Sequence, residues 1–322
     1  MKGLVLSITA GQGHNQTAMV ISKRFNECGV ECKYLDVYKF INPILSDSVN
    51  KIYLMSTKAI PKIYGGVYRM CEKRGVQSGA GIHGLNRITN SVLSRSLIKL
   101  IQKEKPDFII CTHIFAALLV TYISSIERLN AKTIGVITDF TIHPYWEDSL
   151  LDYYIIANER LTIQGIKKGF PENKFLPLGI PIGTKFSRKI EKSKAKEILN
   201  LHSKHTILVM SGSMGFGAVY KEIEELDKLD MDFEIVSVSG NNKKLKTKID
   251  SMETRKKIYS YGYINNVDVF MDACDCIITK PGGLTTSEAL AKQIPMLINN
   301  PIPGQEDRNV EFLLNAGAAM RI

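Results

Sequence analysis

Short apolar runs recur along the chain, and most of them lead into a polar or glycine-containing loop followed by a stretch with helical spacing. In the first such unit, an apolar run at residues 3–8 precedes a loop, and residues 16–27 then place Ala18, Ile21 and Phe25 on one helical face. A strand buried on both faces reads as a continuous apolar run, and its crossover reads as an amphipathic helix, so the alternation predicts a parallel α/β fold. The predicted strands are residues 3–8, 32–37, 107–112, 132–137, 153–157, 175–177, 206–210, 233–238, 258–261, 276–279 and 295–298.

The pattern runs through the chain twice. Residues 178–183, Leu-Gly-Ile-Pro-Ile-Gly, interrupt it, and a helix, a strand and a second glycine-rich loop follow. A chain of 322 residues is also too long for one ordinary core and fits two domains. We therefore predict two Rossmann-like domains, residues 1–180 and 181–322, with parallel sheets that face each other across a cleft at their strand C-termini.

Composition places the chain among globular proteins. Hydrophobic residues make up 44% and charged residues 23%, and no apolar run approaches the roughly 20 residues of a membrane span. The N-terminus reads as a buried strand and not as a signal peptide. Cys111, Cys274 and Cys276 fall in or beside apolar strands, so we interpret them as reduced core residues of a cytoplasmic protein with no metal-like cysteine pairing.

The formal charge of +10 is concentrated in one segment. Residues 51–105 hold eleven Lys or Arg against Glu72 and Glu104, a local excess of 11 − 2 = +9, interleaved with apolar and aromatic residues such as Tyr64 and Tyr68. A basic segment that carries aromatics suits a peripheral protein on an anionic membrane, where each cation contributes about 1 kcal/mol. A solvated surface is the alternative, and a nucleic-acid patch is disfavoured because no nucleic-acid fold signature appears.

The strongest chemical signal lies between residues 275 and 309. The apolar run at 276–279 breaks at Pro281-Gly282-Gly283, and a helix is predicted to open at Thr285 or Thr286. Such a turn leaves unpaired N–H groups at a helix N-terminus, which predicts an anion site, and Glu288 in the predicted first turn is placed to accept two ribose hydroxyls. A plain strand-to-helix connection is the alternative. A second polar loop, Pro303-Gly304-Gln305-Glu306, follows the next strand and favours a ligand site.

The first half carries two further chemical loops. Gly11-Gln12-Gly13-His14 follows the first strand, and His14 is placed there to accept a proton from a hydroxyl, with helix capping as the alternative. Asp139 follows the strand at 132–137, with His143 and the only tryptophan, Trp146, close behind. A carboxylate, an imidazole and an aromatic platform are thus predicted at one sheet edge with His14, although Asp139 could merely cap a turn.

These motifs together resemble the diacylglycerol glycosyltransferases. The resemblance rests on the His14 loop, Thr-Asp-Phe-x-x-His-x-x-Trp from Thr138, Gly-Ser-Met-Gly from Gly212, Gly-Tyr-Ile from Gly262, Thr-Lys-Pro-Gly-Gly-Leu-Thr from Thr279 and Pro-Gly-Gln-Glu from Pro303. It covers nearly the whole chain and extends to the monogalactosyldiacylglycerol synthases, the processive diacylglycerol glucosyltransferases and, more distantly, the peptidoglycan N-acetylglucosaminyltransferase. The resemblance implies a GT-B fold and an inverting, metal-independent mechanism with no cofactor.

The resemblance also implies roles for individual residues. Asp139 or His14 would be the general base, and Gly13, His143, Trp146, Tyr64 and Tyr68 would lie near the acceptor. The implied donor-binding residues are Gly212, Ser213, Met214, Gly215, Tyr263, Ile264, Lys280, Pro281, Gly282, Gly283, Thr285, Glu288, Gln305 and Glu306. Of these, the glycine loops would hold the diphosphate, Glu288 the ribose, Tyr263 and Ile264 the uracil, and Gln305 and Glu306 the sugar.

The implied activity is transfer of glucose or galactose from a UDP-sugar to diacylglycerol by a peripheral enzyme on the cytoplasmic face of the membrane. Transfer of N-acetylglucosamine to a polyprenyl-linked cell-wall precursor, UDP-sugar epimerisation and non-catalytic UDP-sugar binding are the alternatives. Members of the family usually continue through a last strand and a helix that crosses back to the first domain. This sequence stops at Ile322, without the crossing helix.

Overall fold

The computed structural model describes residues 1–9, 12–43, 46, 93–202, 205–212, 215 and 217–322, except for the side chain of Gln305. The chain divides into two compact units, Met1–Pro181 with Ile302–Gln305, and Ile182–Pro301 with Glu306–Ile322. The predictions for Tyr64, Tyr68, Ser213, Met214 and the side chain of Gln305, and those for the basic segment up to residue 92, lie outside the described residues.

The first unit contains a parallel six-stranded sheet in the order β2-β1-β3-β4-β5-β6 among the described residues. Its strands are β1 (Lys2–Ser7), β2 (Glu31–Asp36), β3 (Phe108–Cys111), β4 (Lys132–Val136), β5 (Tyr153–Ile155) and β6 (Phe175–Leu176), and its helices are α1 (Gly13–Glu27), α2 (Val37–Ile41), α3 (residues 93–104), α4 (Ile114–Ile126) and α5 (Arg160–Lys167). Val5, Ala18, Phe108 and Val136 belong to one buried cluster between the sheet and α1. The chain reverses its direction of travel across the sheet between β1 and β3, the place where open α/β sheets bind ligands.

The second unit repeats the architecture with the strand order β12-β11-β10-β7-β8-β9. Its strands are β7 (Thr206–Met210), β8 (Glu234–Val238), β9 (Ile258–Tyr261), β10 (Cys276–Thr279), β11 (Met296–Ile298) and β12 (Ala319–Arg321), and its helices are α6 (Lys192–Ile198), α7 (Val219–Lys228), α8 (Lys243–Asp250), α9 (Val267–Ala273), α10 (Gly283–Lys292) and α11 (Gln305–Asn315). Val209, Ile235 and Ile278 anchor its core beneath α7 and α8. Here the reversal lies between β7 and β10, and the order is that of a dinucleotide-binding fold.

Two parallel Rossmann-like sheets confirm the predicted α/β class, and the structure corrects three local predictions. The first helix begins at Gly13, since Gln16 N already donates to Gln12 O, so His14 lies in a first helical turn and not in a loop. α10 begins at Gly283, because Thr286 N donates to Gly282 O, which places Glu288 in the second turn and not in the first. β12, which the sequence analysis did not assign, pairs with β11.

A buried ion pair fixes the helices that flank the second unit's candidate site. Lys292 Nζ at the end of α10 lies 2.6 Å from Asp272 Oδ2 on α9, and both side chains are fully buried. Lys292 also donates to Arg188 O, and the same Asp272 oxygen accepts from Ile190 N. The pair therefore holds the segment at residues 188–190 against α9 and α10.

In the described ranges no helix is both long enough and apolar enough to cross a membrane. The five cysteines within those ranges are unpaired, and Cys111 and Cys274 are buried, as predicted for core thiols.

Candidate functional site

In the first unit, polar residues follow three adjacent strands at their carboxyl ends. His14 lies beyond β1, His113 directly beyond β3, and Asp139 beyond β4. Because parallel strands end at the same edge, these three side chains meet there, and β1 and β3 flank the reversal point of the sheet. The rings of His14 and His113 are in edge contact, with centroids 4.6 Å apart.

Hydrogen bonds to one nitrogen fix the tautomer of His14. Its Nδ1 lies 2.9 Å from Thr112 O, and a carbonyl can only accept, so Nδ1 carries the proton. Thr138 Oγ1 lies 2.9 Å from the same nitrogen, and Thr112 Oγ1 donates to His14 O. In the neutral ring, Nε2 therefore keeps its lone pair and can accept a proton.

Opposing effects act on the pKa of His14. Burial lowers the pKa below its ordinary value of 6.5, and the nearby Asp139 carboxylate and the Thr112 carbonyl partly offset this by favouring the charged ring. The ring is thus neutral at physiological pH, and Asp139 would stabilise the imidazolium formed when the ring takes a proton. The structure brings together the two residues that the sequence left as alternative bases.

Two more histidines lie in the same cluster, and each caps a helix. His113 Nδ1 accepts from Phe115 N at the start of α4, and His143 Nδ1 accepts from Tyr145 N at the 3₁₀ helix Pro144–Asp148, both at 3.2 Å. Burial, together with repulsion from Lys168 and His14, lowers the pKa of His143 to about 4. Burial, followed by the charges of His14 and His143, holds the pKa of His113 well below 6.5. Both rings are therefore neutral.

Trp146, which the sequence suggested as an aromatic platform near the acceptor, is a core residue. Its side chain is 5% exposed and meets the ring of Tyr154 edge-on. A Cβ added at Gly135 would lie 2.8 Å from the indole, so the glycine on β4 makes room for it. This burial leaves little of the indole for an acceptor, and Trp146 instead supports the segment that carries His143.

In the second unit, the loops after β7 and β10 meet at the reversal point. Gly215 has a φ of +59°, and a Cβ there would lie 2.0 Å from Ser239 O, so only glycine fits. Gly217, which has a φ of +137°, lies against Ser211 and the aliphatic stem of Lys280. The two loops that the sequence assigned to a diphosphate are therefore neighbours.

None of the described side chains caps the start of α10. Gly282 occupies the N-cap position and has no side chain that could cap the helix. The hydroxyls of Thr286 and Ser287 donate back to the carbonyls of Gly282 and Gly283. The first N–H groups of the helix therefore keep their capacity for an anion, as the pattern Pro281-Gly282-Gly283 predicts. Thr285 is partly buried in this first turn.

Lys280 and Glu306 form an ion pair beside the start of α10. The Lys280 ammonium lies 3.6 Å from the Glu306 carboxylate, and both side chains are largely buried. Asn309 on α11 donates a buried hydrogen bond of 2.9 Å to Pro281 O. α11 is therefore fixed against the turn that precedes α10, which puts Glu306 beside the candidate phosphate site.

Glu288 has the most strongly perturbed carboxylate at this site. Its pKa is raised from 4.5 to about 7, mainly by burial; the Lys185 ammonium opposes the rise and the Asp268 carboxylate contributes to it. Lys185 Nζ itself lies 3.4 Å from Asp268. A carboxylate that is poised near neutral pH in a binding edge is a typical functional-site feature.

The remaining predicted donor contacts lie after β9. Tyr263 is exposed and Ile264 is partly buried, so the backbone and ring of this segment are accessible to a flat base. Within the part of the chain that is described, no group of three or more His, Cys, Asp or Glu side chains could hold a metal ion.

Comparison with known families identifies the family of this chain. A sequence model described as monogalactosyldiacylglycerol (MGDG) synthase matches residues 14–182, which is more than half of the chain, and one described as glycosyltransferase family 28 C-terminal domain matches residues 206–322. The chain belongs to the MGDG synthase family. The resemblance drawn from the sequence motifs is thereby confirmed.

Curated relatives of this MGDG synthase family member extend over its full length. The "Processive diacylglycerol beta-glucosyltransferase" of Bacillus pumilus (strain SAFR-032) is 30% identical over 333 residues, which cover 100% of this chain and 83% of the relative. The protein of the same name in Bacillus cereus (strain AH187) is 28% identical over 328 residues, which cover 100% of this chain and 82% of the relative.

Solved structures confirm the fold of the MGDG synthase family member. MurG of Acinetobacter baumannii aligns with a TM-score of 0.63 at 15% identity, over 100% of this chain and 85% of MurG. Anabaena Alr3699/HepE in complex with UDP-glucose aligns with a TM-score of 0.55 at 12% identity, over 98% of this chain and 90% of that structure. The chain thus has the predicted GT-B fold of glycosyltransferases.

Sequence reasoning missed several residues of the first unit's cluster. Thr112 and Thr138 fix the ring of His14, and His113 contacts it, yet none was singled out as a site residue. Their signal was available, because Thr112 ends a predicted buried strand and His113 and Thr138 each follow one, at the edge that also carries His14. Lys185 was missed in the second unit because it lies on the linker side of the chain, far in sequence from Glu288.

Proposed function

We propose that this protein is an inverting glycosyltransferase that moves a hexose from a UDP-sugar to diacylglycerol. The observation that carries the proposal is the pairing of His14 with Asp139 in a unit whose sequence belongs to the MGDG synthase family. The names of the curated relatives support diacylglycerol as acceptor and favour glucose over galactose as the sugar to test first. The Anabaena structure with UDP-glucose supports a UDP-sugar as donor.

His14 is the proposed general base. Its Nδ1–H is held by Thr112 O, so Nε2 accepts the proton of the acceptor hydroxyl as the hydroxyl oxygen attacks the anomeric carbon. The bond from that carbon to the UDP oxygen breaks in the same step, and UDP leaves with the electron pair. One such displacement inverts the anomeric configuration. Asp139 stabilises the imidazolium by its negative charge.

The second unit binds the donor in this proposal. The uncapped N–H groups at the start of α10 and the ammonium of Lys280 stabilise the charge that develops on the departing diphosphate. Glu288 binds the ribose hydroxyls, and Glu306 binds the sugar. The backbone around Tyr263 and Ile264 contacts the uracil, and Gly215 allows the loop after β7 to approach the phosphates.

Radiolabelled sugar transfer to dioleoylglycerol in mixed micelles tests the proposal, with UDP-glucose and UDP-galactose supplied separately. We expect His14→Ala to abolish transfer and Asp139→Asn to reduce it by about 10²-fold or more, while both variants still bind UDP in calorimetry. His202→Ala, at an exposed histidine of the second unit, is the matched control and should transfer normally. Normal transfer by His14→Ala would remove it from the mechanism.

Two further assays separate the proposal from its alternatives. An undecaprenyl-linked precursor offered in competition with dioleoylglycerol should leave lipid glycosylation unchanged if diacylglycerol is the acceptor. NMR of a UDP-sugar incubated alone with the protein should show neither epimer nor free sugar. A new sugar signal in that sample, without lipid, would indicate epimerase or hydrolase chemistry instead.

We also propose that the protein works as a peripheral enzyme on the cytoplasmic face of the membrane. The support is the excess of basic residues between 51 and 105, interleaved with aromatics, together with a lipid acceptor. Sedimentation with vesicles should show binding to phosphatidylglycerol-containing bilayers that weakens with salt. Equal binding to purely zwitterionic vesicles at all salt concentrations would contradict this electrostatic contribution.

A further inference from the structure

His113 occupies the other side of the reversal point from His14. It is the second residue after β3, the strand adjacent to β1, and its ring contacts that of His14 edge-on at a centroid distance of 4.6 Å. No sequence motif assigned it a role. Its side chain is only 6% exposed, and it lies at the edge where such sheets bind ligands.

The helix cap fixes the tautomer of His113. Phe115 N donates to its Nδ1 at 3.2 Å, so this nitrogen holds a lone pair and the proton of the neutral ring must be on Nε2. Within the described ranges, the hydrogen bonds of the ring are confined to Nδ1. Burial and the neighbouring histidines keep the ring neutral, as the lowered pKa indicates. His113 therefore offers a hydrogen-bond donor at Nε2.

The two touching rings are thus opposite tautomers. His14 donates from Nδ1 to Thr112 O and keeps a lone pair at Nε2, whereas His113 accepts at Nδ1 and carries a proton at Nε2. The ring contact places the two imidazoles in one cluster, with centroids 4.6 Å apart. A diacylglycerol presents matching chemistry, since its free hydroxyl donates a proton and the neighbouring ester oxygens can only accept hydrogen bonds.

We propose that His113 is an acceptor-binding residue whose Nε2–H donates a hydrogen bond to an oxygen adjacent to the reacting hydroxyl, while His14 takes the hydroxyl proton. This inference rests on the proposed glycosyltransferase function. His113 orients the acceptor and takes no proton, so its loss should raise the KM for acceptor more than it lowers kcat.

Two substitutions separate this role from helix capping. In His113→Asn, the side-chain oxygen can still accept from Phe115 N, so stability should be retained, but the donor at the Nε2 position is lost. We expect the KM for dioctanoylglycerol to rise about tenfold, the effect of one hydrogen bond, with UDP affinity unchanged. His113→Gln restores an amide donor near the Nε2 position and should recover part of this loss despite a weaker cap.

A purely structural histidine predicts the reverse pattern. His113→Asn would then be fully active, and His113→Gln would be the damaged variant, which would overturn the inference. Asn158→Gln is the control for capping, because Asn158 Oδ1 accepts from Arg160 N at the start of α5. That variant should leave the KM for dioctanoylglycerol unchanged.

Nitrogen-15 NMR of histidine-labelled protein provides a readout that does not depend on turnover. The His113 signals, identified by their loss in His113→Asn, should show an unprotonated Nδ1 and a protonated Nε2 from pH 6 to 8. The Nε2 resonance should shift on addition of dioctanoylglycerol. A protonated Nδ1, or no shift at saturating lipid, would refute the inference. If the wild-type protein transfers no sugar, the proposed function fails; if it transfers sugar and His113→Asn keeps its acceptor KM, only the role of His113 fails.

Discussion

Replacement of Glu288 by Gln should stabilise the protein at alkaline pH and have little effect at acid pH. Burial raises the folded-state pKa of Glu288 from 4.5 to about 7. A difference of roughly 2.5 pKa units corresponds to about 3 kcal/mol of unfolding free energy. Because the folded pKa is the higher one, this contribution is fully present below pH 4.5 and is lost as the pH rises to about 7. Gln, which never ionises, does not incur that loss.

Chemical denaturation at pH 5 and pH 8 measures the effect. Trp146 is the only tryptophan and lies in the first unit, so its fluorescence does not report on the unit that holds Glu288. Far-UV circular dichroism or calorimetry detects the unfolding of both units. The variant should exceed the wild type by less than about 1 kcal/mol at pH 5 and by about 3 kcal/mol at pH 8. Glu253→Gln, at an exposed glutamate of the same unit, is the control and should show no such pH-dependent gain.

The same carboxylate should make donor binding depend on pH. If the ionised form accepts the ribose hydroxyls, the affinity for UDP measured by calorimetry rises between pH 5 and pH 8 in the wild type and stays flat in Glu288→Gln. The binding site would then retain a charge that costs folding stability. The reasoning is refuted if Glu288→Gln and the wild type differ in unfolding free energy by the same amount at pH 5 and pH 8. That result would show that burial does not penalise the charged form of Glu288.

Three other predictions follow from the site and its supports. Gly215→Ala should lower the unfolding free energy by about 2 kcal/mol or more and weaken UDP binding, whereas Gly29→Ala, also at positive φ but in open space, should cost less. Lys292→Met should cost about 3–5 kcal/mol in denaturation because it leaves the Asp272 carboxylate buried alone, and the double variant with Asp272→Asn should regain part of that loss. The acid limb of kcat/KM should fall below pH 6.5, since burial lowers the pKa of His14 and the base acts in its neutral form; a limb well above pH 6.5 would exclude it.

Hydrophobic patterning was sufficient to predict β1 to β11. The bounds of β7 and β10 agree with the predicted runs, because a largely buried strand is mostly apolar and stops where polar residues begin. The donor loops could be predicted from the same strands. Gly282 and Glu306 follow two successive strands, and parallel strands end at one edge of the sheet. The family motifs added the chemistry that the pattern alone does not specify.

Helix starts were predicted less well because backbone hydrogen bonds determine them. α1 begins three residues earlier than its apolar spacing indicates, and α10 begins at Gly283, which moves Glu288 to the second turn. A glycine contributes nothing to an apolar pattern, so neither Gly13 nor Gly283 could mark a helix start by hydrophobicity. The three-residue β12 is too short for a periodic signal.

The amino-acid sequence by itself therefore determined the fold class, the two-fold repetition of the α/β pattern and the loops that carry glycine, histidine and carboxylate side chains. Only the tertiary structure decided the strand order, and with it the contact of His14 with Thr112 across 98 residues and with the ring of His113. It also decided the burial that makes Trp146 a core residue and raises the pKa of Glu288. These properties depend on which distant segments pack together, and local patterns of polarity do not encode that.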